Sequence, residues 1–132
     1  MGDSSAQVSR PALPASGWGE FWKWLWRSRR RVEVVGNSMS PTLSAGDQVF
    51  WDPKAYAAHA NVLPQVGEIV VARDPRMPER PLVKRVVAIA PNDSGTISAD
   101  LRGDNPSEST DSRQFGTVDV SHILGKVTSR LP

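Results

Sequence analysis

The chain has 132 residues, about the length of one domain, and 39% of them are hydrophobic, which is enough for a single core. Its formal net charge of +2 gives no argument for a nucleic-acid partner. The absence of cysteine excludes disulfides, thiol catalysis and cysteine-bound zinc, and it suits a reducing compartment. The 11 prolines and 10 glycines favour short strands and turns over long helices.

Residues 1–17 are small, polar and proline-containing, and they are typical of a disordered tail. They lack the basic start and apolar middle of a secretory signal, so we expect a cytoplasmic protein. His59 and His122 are far apart and have no ligand spacing, so we interpret both as surface or structural residues and expect no metal and no cofactor.

Four of the five tryptophans lie between residues 18 and 26, next to a cluster of basic residues that ends at Arg31. The segment is shorter than the ~20 apolar residues of a bilayer span. An aromatic face beside arginines fits a helix lying in the membrane interface, and it equally fits a helix packed on its own domain or on a partner protein. On a helix, one face would comprise Trp18, Phe21, Trp22, Leu25 and Trp26.

Residues 32–132 have the patterning of a mainly β protein, a small antiparallel domain that follows the arm of residues 1–31. Loops are predicted at 54–65, where one short helical turn also fits, at the proline-rich 74–81, and from Gly103 onwards. The predicted strands are Val32–Val35, Gln48–Trp51, Glu68–Arg73, Leu82–Ala90, Thr96–Leu101 and Ile123–Val127.

Ser38 follows a valine pair and a Gly-Asn step, and a proline three residues later prevents a regular strand from continuing. A serine held at such a bend can be a nucleophile. Equally, its hydroxyl can simply bond to nearby backbone.

Lys84 lies in a predicted strand with apolar residues on both faces. If it points inward, burial lowers the pKa of its amine, and a neutral amine can take a proton from a serine. The alternative is a side chain that covers apolar surface and brings its charge to solvent.

Three segments, taken together, resemble the signature boxes of type I signal peptidases and occur in the same order. The first segment is GNSMSPTL (36–43), the second is KR (84–85), and the third is GDNPSESTDSRQFG (103–116). The resemblance covers residues 32–127 and implies the small antiparallel β fold of signal peptidases and SOS-repressor peptidases. It also implies a serine endopeptidase.

The resemblance assigns roles to individual residues. It implies that Ser38 is the nucleophile, that Lys84 is the general base, and that the hydroxyl of Ser109 orients the lysine. The expected supporting residues of the third segment are an ion pair of Asp111 with Arg113 and the loop-shaping residues Gly103, Asp104 and Asn105.

Details of the match resemble one branch of the family, the maturation protease of nickel-type superoxide dismutase. These details are the short core, with 18 residues between Lys84 and Gly103, and the proline and Ser-Arg-x-Phe-Gly pattern of the third segment. The implied partner is the dismutase precursor, from which the enzyme removes a leader. Nickel then belongs to the substrate.

The chain departs from the family pattern at three points, of which one is the short span between Lys84 and Gly103, too short for the large inserted domain of some relatives. Gly36 stands where many signal peptidases carry a Ser or Thr that helps to hold the oxyanion, and the tryptophan-rich arm stands where they carry a membrane anchor. Three other interpretations stay open. They are an ordinary signal peptidase acting on secretory preproteins, a self-cleaving SOS-type repressor, and a non-enzymatic module that binds a membrane surface.

Overall fold

A computed structural model describes residues 29–56 and 62–132 of the chain. The predicted tail, the tryptophan-rich helical arm and His59 therefore lie outside the described residues. Within residues 29–56 and 62–132, no helix has the length and apolar character that a membrane crossing requires. The strands are β1 (Arg30–Glu33), β2 (Gln48–Asp52), β3 (Ile69–Asp74), β4 (Met77–Pro91), β5 (Ile97–Arg102), β6 (Val118–Asp119) and β7 (Ile123–Arg130).

The strands form one sheet in the order β1-β2-β7-β3-β4-β5-β6, and every neighbouring pair is antiparallel. The predicted mainly β, antiparallel fold is confirmed. Strand β7 returns from the end of the chain to lie between β2 and β3, which brings the first half of the sequence against the second.

The hydrophobic core lies on both faces of the sheet, because β3 is buried along nearly its whole length. Val71 of β3 packs in one buried cluster, whereas Val70 and Ala72 pack in the other. This division follows from the alternation of side chains along a strand. The first cluster also contains Met39 and Leu43, so the turn around Ser38 is anchored by its own apolar side chains.

The predicted loop at 74–81 is wrong, because β4 begins at Met77 and forms a tight hairpin with β3. Three prolines led to the loop prediction. Pro78 and Pro81 are tolerated because this half of β4 pairs only with β3 among the described residues, so no second neighbour needs their missing N–H. The first strand also begins two residues earlier than predicted and ends before Val34.

The predicted long polar loop after Gly103 contains more regular structure than expected. A 3₁₀ turn spans Pro106–Glu108, and a short helix, α1, spans Ser112–Phe115. Asp111 caps α1, and the Gln114 side chain accepts a hydrogen bond from the Asp111 N–H at 2.8 Å, which completes a capping box. The Asp-x-x-Gln spacing of Asp111 and Gln114 is the feature of the sequence that could have indicated this helix.

Candidate active site

The predicted nucleophile, Ser38, lies in a turn that is anchored by buried apolar residues on one side and is open to solvent just before the serine. Met39 is fully buried, whereas Val35 is 87% exposed. Gly36 has a φ of +79°, a conformation that glycine adopts without a steric penalty. The turn thus holds a half-buried Ser38 at the protein surface, within reach of a substrate.

The predicted base, Lys84, is only 4% exposed on strand β4. It therefore does not carry its charge out to solvent, which was the alternative interpretation. Its Nζ donates a hydrogen bond to Ser109 Oγ at 2.9 Å. Burial lowers the pKa of Lys84, because the charged ammonium loses its hydration.

A continuous chain of hydrogen bonds runs from Lys84 through Ser109 to the buried carboxylate of an ion pair. Ser109 Oγ donates to Asp111 Oδ2 at 2.6 Å, and Arg113 binds the same carboxylate through Nε at 3.0 Å and Nη2 at 2.6 Å. Burial opposes ionisation of Asp111, but hydrogen bonds from Arg113, Ser109 and Gly103 outweigh it and hold its pKa below the usual range. The ion pair expected in the third segment is present.

Gly103 lies where the third segment touches the nucleophile turn. A Cβ at this position would overlap Ser109 Oγ and would lie 2.5 Å from the Ser38 carbonyl oxygen, closer than atoms can pack. Its backbone N–H donates to Asp111 Oδ2 at 2.8 Å. Only glycine permits this approach, so Gly103 is a contact point between the Ser38 turn and the Ser109 loop.

Asn105 holds the nucleophile turn from the other side of this contact. Its backbone N–H donates to the Ser38 carbonyl oxygen at 2.8 Å. Its side-chain amide donates to the Asn37 carbonyl oxygen at 3.1 Å. Two hydrogen bonds from one residue thus fix the backbone on which Ser38 is mounted.

Asp104 joins all three segments. It accepts two hydrogen bonds from Arg85, both at 2.8 Å, and one from the Thr42 hydroxyl at 2.7 Å. The Arg85 hydrogen bonds are the main reason that its pKa lies below the usual value, against an opposing effect of burial. Sequence reasoning assigned no role to Thr42 or Arg85, although both lie in the matched segments, because their common partner is distant in sequence.

Ser38 and Lys84 line the same cleft, which has a volume of about 400 Å³. One wall comes from Val32–Val35, at and after β1, and the other comes from residues 80–84 of β4. Among the described residues, β1 pairs only with β2, and β4 has no second neighbour before Arg85. Two unpaired strand edges therefore border the cleft.

The described residues contain no group of three or more His, Cys, Asp and Glu side chains arranged to hold a metal ion. His122 is exposed at the end of a 3₁₀ turn that directly precedes β7, in agreement with its interpretation as a surface residue. The chemistry available in the cleft is that of a hydroxyl, a desolvated amine and their hydrogen-bond partners.

Comparison with known proteins gives a consistent set of relatives. The chain is 34% identical over 119 residues to the mitochondrial ATP-independent inner membrane protease subunit 1a of Arabidopsis thaliana, covering 76% of this chain and 68% of that protein. It is 31% identical over 111 residues to the human mitochondrial inner membrane protease subunit 1, covering 73% and 65%. The Schizosaccharomyces pombe subunit 1 is 31% identical over 112 residues, covering 73% and 69%.

A family model described as "Signal peptidase, peptidase S26" matches residues 25–94. This range includes Ser38 and Lys84 but ends before the third segment, so the match does not depend on the loop that carries Ser109. The family consists of serine peptidases, as the three segments predicted. The chain belongs to the signal peptidase family, peptidase S26.

Proposed function

We propose that this protein is a serine endopeptidase in which Ser38 is the nucleophile and Lys84 is the general base. The observation that carries the proposal is the environment of Lys84. Its amine is buried, its pKa is lowered by that burial, and Ser109 holds it at 2.9 Å in the cleft that Ser38 also lines. These are the properties that a lysine needs to work as a base near neutral pH.

The hydrogen-bond directions supply the orientation. A neutral amine has two N–H groups and one lone pair, and Lys84 donates one N–H to Ser109. The Ser109 hydroxyl donates its hydrogen bond to Asp111, so it cannot also donate one to the lone pair of Lys84. The lone pair of Lys84 stays available for the proton of Ser38.

The reaction then follows the acyl-enzyme course of serine peptidases. Lys84 takes the proton from Ser38 Oγ as this oxygen attacks the carbonyl carbon of the scissile bond. The protonated lysine gives that proton to the leaving amine, and the C–N bond breaks. A water molecule, deprotonated by Lys84, attacks the ester carbon. The C–O bond to Ser38 breaks, the carboxylate product leaves, and the protonated lysine returns its proton to Ser38 Oγ.

The oxyanion is stabilised by the backbone N–H of Ser38 in this proposal. Gly36 has no hydroxyl to add a second donor. Thr42 lies in the same turn, but its hydroxyl donates to Asp104 at 2.7 Å. We therefore expect slower turnover than in a relative with a Ser or Thr at the Gly36 position, unless the substrate complex brings in another donor.

The substrate is proposed to bind as an extended segment between the two unpaired strand edges that border the cleft. Strand edges offer main-chain N–H and C=O groups, which give affinity for many sequences, while a few pockets select side chains. A short peptide that spans the cleavage site should therefore be cut, although less efficiently than the whole precursor.

We propose as substrate the precursor of a nickel-type superoxide dismutase. The support is the resemblance of the short core and of the third segment to that branch of the family. Cleavage would free a new N-terminal amine that can ligate nickel, and a site without thiols would not compete for the metal. The named relatives are mitochondrial inner membrane proteases, so the assignment to the dismutase-maturation branch depends only on the short core and the third matched segment.

The test is to incubate the purified protein with the dismutase precursor and, separately, with a secretory preprotein, and to analyse the products by mass spectrometry. A single cut in the dismutase precursor, absent with Ser38→Ala, is expected. Cleavage of the secretory preprotein alone would favour an ordinary signal peptidase. Cleavage of this chain by itself would favour an SOS-type peptidase, and the absence of any cleavage would favour the non-enzymatic binding module.

The arm of residues 1–31 is proposed to bring a cytoplasmic enzyme to anionic membrane surfaces through its aromatic face and its basic residues. Arg30 and Arg31 belong to β1, so a deletion should end at residue 28 to leave the strand intact. Full-length and shortened protein would be co-sedimented with anionic vesicles. Equal partitioning of the two would remove the membrane role.

A further inference from the structure

A second ion pair lies at the tip of the β3–β4 hairpin, and its arginine lines the same cleft as Lys84. Asp74 ends β3 and is 1% exposed, although it is charged. Arg76, two residues later in the turn, binds its carboxylate through Nε at 3.1 Å and Nη2 at 2.9 Å, and through the backbone N–H at 2.8 Å. The pair has the same spacing and the same two-pronged geometry as Asp111 with Arg113.

Arg76 also contacts the loop that carries Ser109. Its guanidinium carbon lies 5.3 Å from the centre of the Phe115 ring, which is within the range of a cation–π interaction. Phe115 is the last residue of helix α1, and Asp111 caps the start of that helix. One side chain therefore joins the hairpin to the helix, and it also lines the cleft with Ser38 and Lys84.

We infer that Arg76 is a positioning residue of the proposed active site: Asp74 and Phe115 fix its cation at the wall of the cleft that Ser38 and Lys84 also line. The inference rests on the proposed role of Lys84 as the base. Sequence reasoning does not reveal this role, because Arg76 lies in a stretch predicted to be a loop and outside the three matched segments.

The charges around Lys84 come from two pairs on opposite elements. Asp111 and Asp74 favour the protonated lysine, whereas Arg113 and Arg76 oppose it. Each buried carboxylate thus has its own arginine, so neither leaves an uncompensated negative charge near the amine. The other ionisable groups that line the cleft are Glu33 of β1, Arg80 of β4 and Glu108 of the 3₁₀ turn.

The experiment measures the titration of Lys84 directly. The chain has four lysines, so ¹³C labelling at the lysine ε-carbon gives at most four NMR signals, and Lys84→Met identifies the signal of Lys84 by its loss. The labelled full-length protein would be titrated as wild type, Arg76→Met, Asp74→Asn and the double variant. Arg80→Met is the control, because it also removes a cation from the same cleft and the same hairpin.

Arg76→Met is expected to raise the pKa of Lys84, and Arg80→Met is expected to leave it at the wild-type value. The acid limb of the pH profile of kcat/KM should move to higher pH with Arg76→Met. At a fixed pH on this limb, kcat/KM should fall about tenfold for each unit by which the pKa of Lys84 rises. An unchanged Lys84 titration in a folded Arg76→Met protein would overturn the inference, because it would leave Arg76 with only a structural role.

If Arg76→Met does not fold, because Asp74 is left buried and unpaired, the other two variants decide. Asp74→Asn should lower the pKa of Lys84, and adding Arg76→Met should bring it back up. Equal values in the single and double variants would overturn the inference. Cleavage that survives Lys84→Met would instead reject the proposed base itself, so the two failures are distinguishable.

Discussion

The two sides of the cleft are built differently. On the Lys84 side, the amine, the Ser109 hydroxyl and the Asp111 carboxylate are all buried and joined by hydrogen bonds. On the Ser38 side, Val35 is 87% exposed, and the turn is held by its buried apolar residues and by two hydrogen bonds from Asn105.

The difference reflects what each group has to do. A lysine can serve as a base near neutral pH only if burial lowers its pKa, and burial requires that its neighbours be satisfied. A nucleophile must reach a substrate, so it needs a fixed backbone but an open surface. Removing a side chain on the base side should therefore affect stability as well as rate, whereas removing the Ser38 hydroxyl should affect mainly rate.

The sharpest test of this comparison replaces the two proposed reacting groups. Ser38→Ala and Lys84→Met should each reduce cleavage by a factor on the order of 10⁶, as loss of a nucleophile or base does in serine peptidases. Thermal melting should show that neither replacement destabilises the fold. Ser38→Ala should melt like the wild type, whereas Lys84→Met should be at least as stable as the wild type near neutral pH.

The sign of the Lys84 effect follows from proton binding. The folded protein binds this proton more weakly than the unfolded chain does, because burial lowers the pKa of Lys84 from its ordinary value of 10.5. Wild-type stability should therefore rise with pH from the lowered pKa up to about that value, and the stability advantage of Lys84→Met should shrink over the same interval. A Met variant that melts well below the wild type at neutral pH would identify Lys84 as a charged structural residue.

A smaller loss of rate is expected for Ser109→Ala. The hydroxyl aims the lone pair of Lys84 and does not need to touch substrate, so kcat should fall by about 10²–10⁴, the contribution of a well-placed general base, with little change in KM. Steady-state kinetics with a peptide substrate would measure both. A rise in KM at constant kcat would show that Ser109 binds substrate and does not orient the base.

Asp111→Ala should act first on stability. It leaves Arg113 without its carboxylate, and it leaves the buried Gly103 N–H and Ser109 hydroxyl without their acceptor, at a cost of about 1–3 kcal/mol for each unsatisfied buried group. The pKa of Asp111 is lowered, so its stabilising effect is complete above its ordinary value of 3.8 and is lost as the pH falls through the lowered pKa. Denaturation at a series of pH values across this range should show that the difference in free energy of unfolding between Asp111→Ala and the wild type becomes smaller as the pH falls.

The sequence predicted the sheet for identifiable physical reasons, whereas the proposed site residues came mainly from the resemblance of three segments to signal peptidases. Strands such as β2 and β5 show β-rich patterning bounded by turn residues, and they lie within two residues of their predicted limits. The prediction misses the hairpin tip because it treats proline content as evidence of a loop. Proline excludes only a strand position whose own N–H must donate to a neighbouring strand, and among the described residues this half of β4 has β3 as its one neighbour.

The contacts that join the segments could not be predicted. Asp104 binds Thr42, which is 62 residues away, and Arg76 lies over Phe115, on a different element. Such pairings depend on where β7 and β4 enter the sheet, and local patterning does not encode strand order. The residue types of the proposed site could therefore be recognised in the sequence, but the hydrogen bonds and contacts between its segments could not.

The smallest expected effect is on the open side of the cleft, at Gly36. A serine here would restore the residue type that many relatives carry, but the φ of +79° costs a residue with a Cβ about 1 kcal/mol. Gly46 is the matched control, since its φ is +90° and the space beside it is equally open. Gly36→Ser and Gly46→Ser should lose similar stability in urea denaturation, and neither should raise kcat, because a strained turn does not hold a hydroxyl at the oxyanion. A gain of tenfold or more in kcat for Gly36→Ser alone would show that the turn already presents this position to the oxyanion, and that the nucleophile side is as preorganised as the base side.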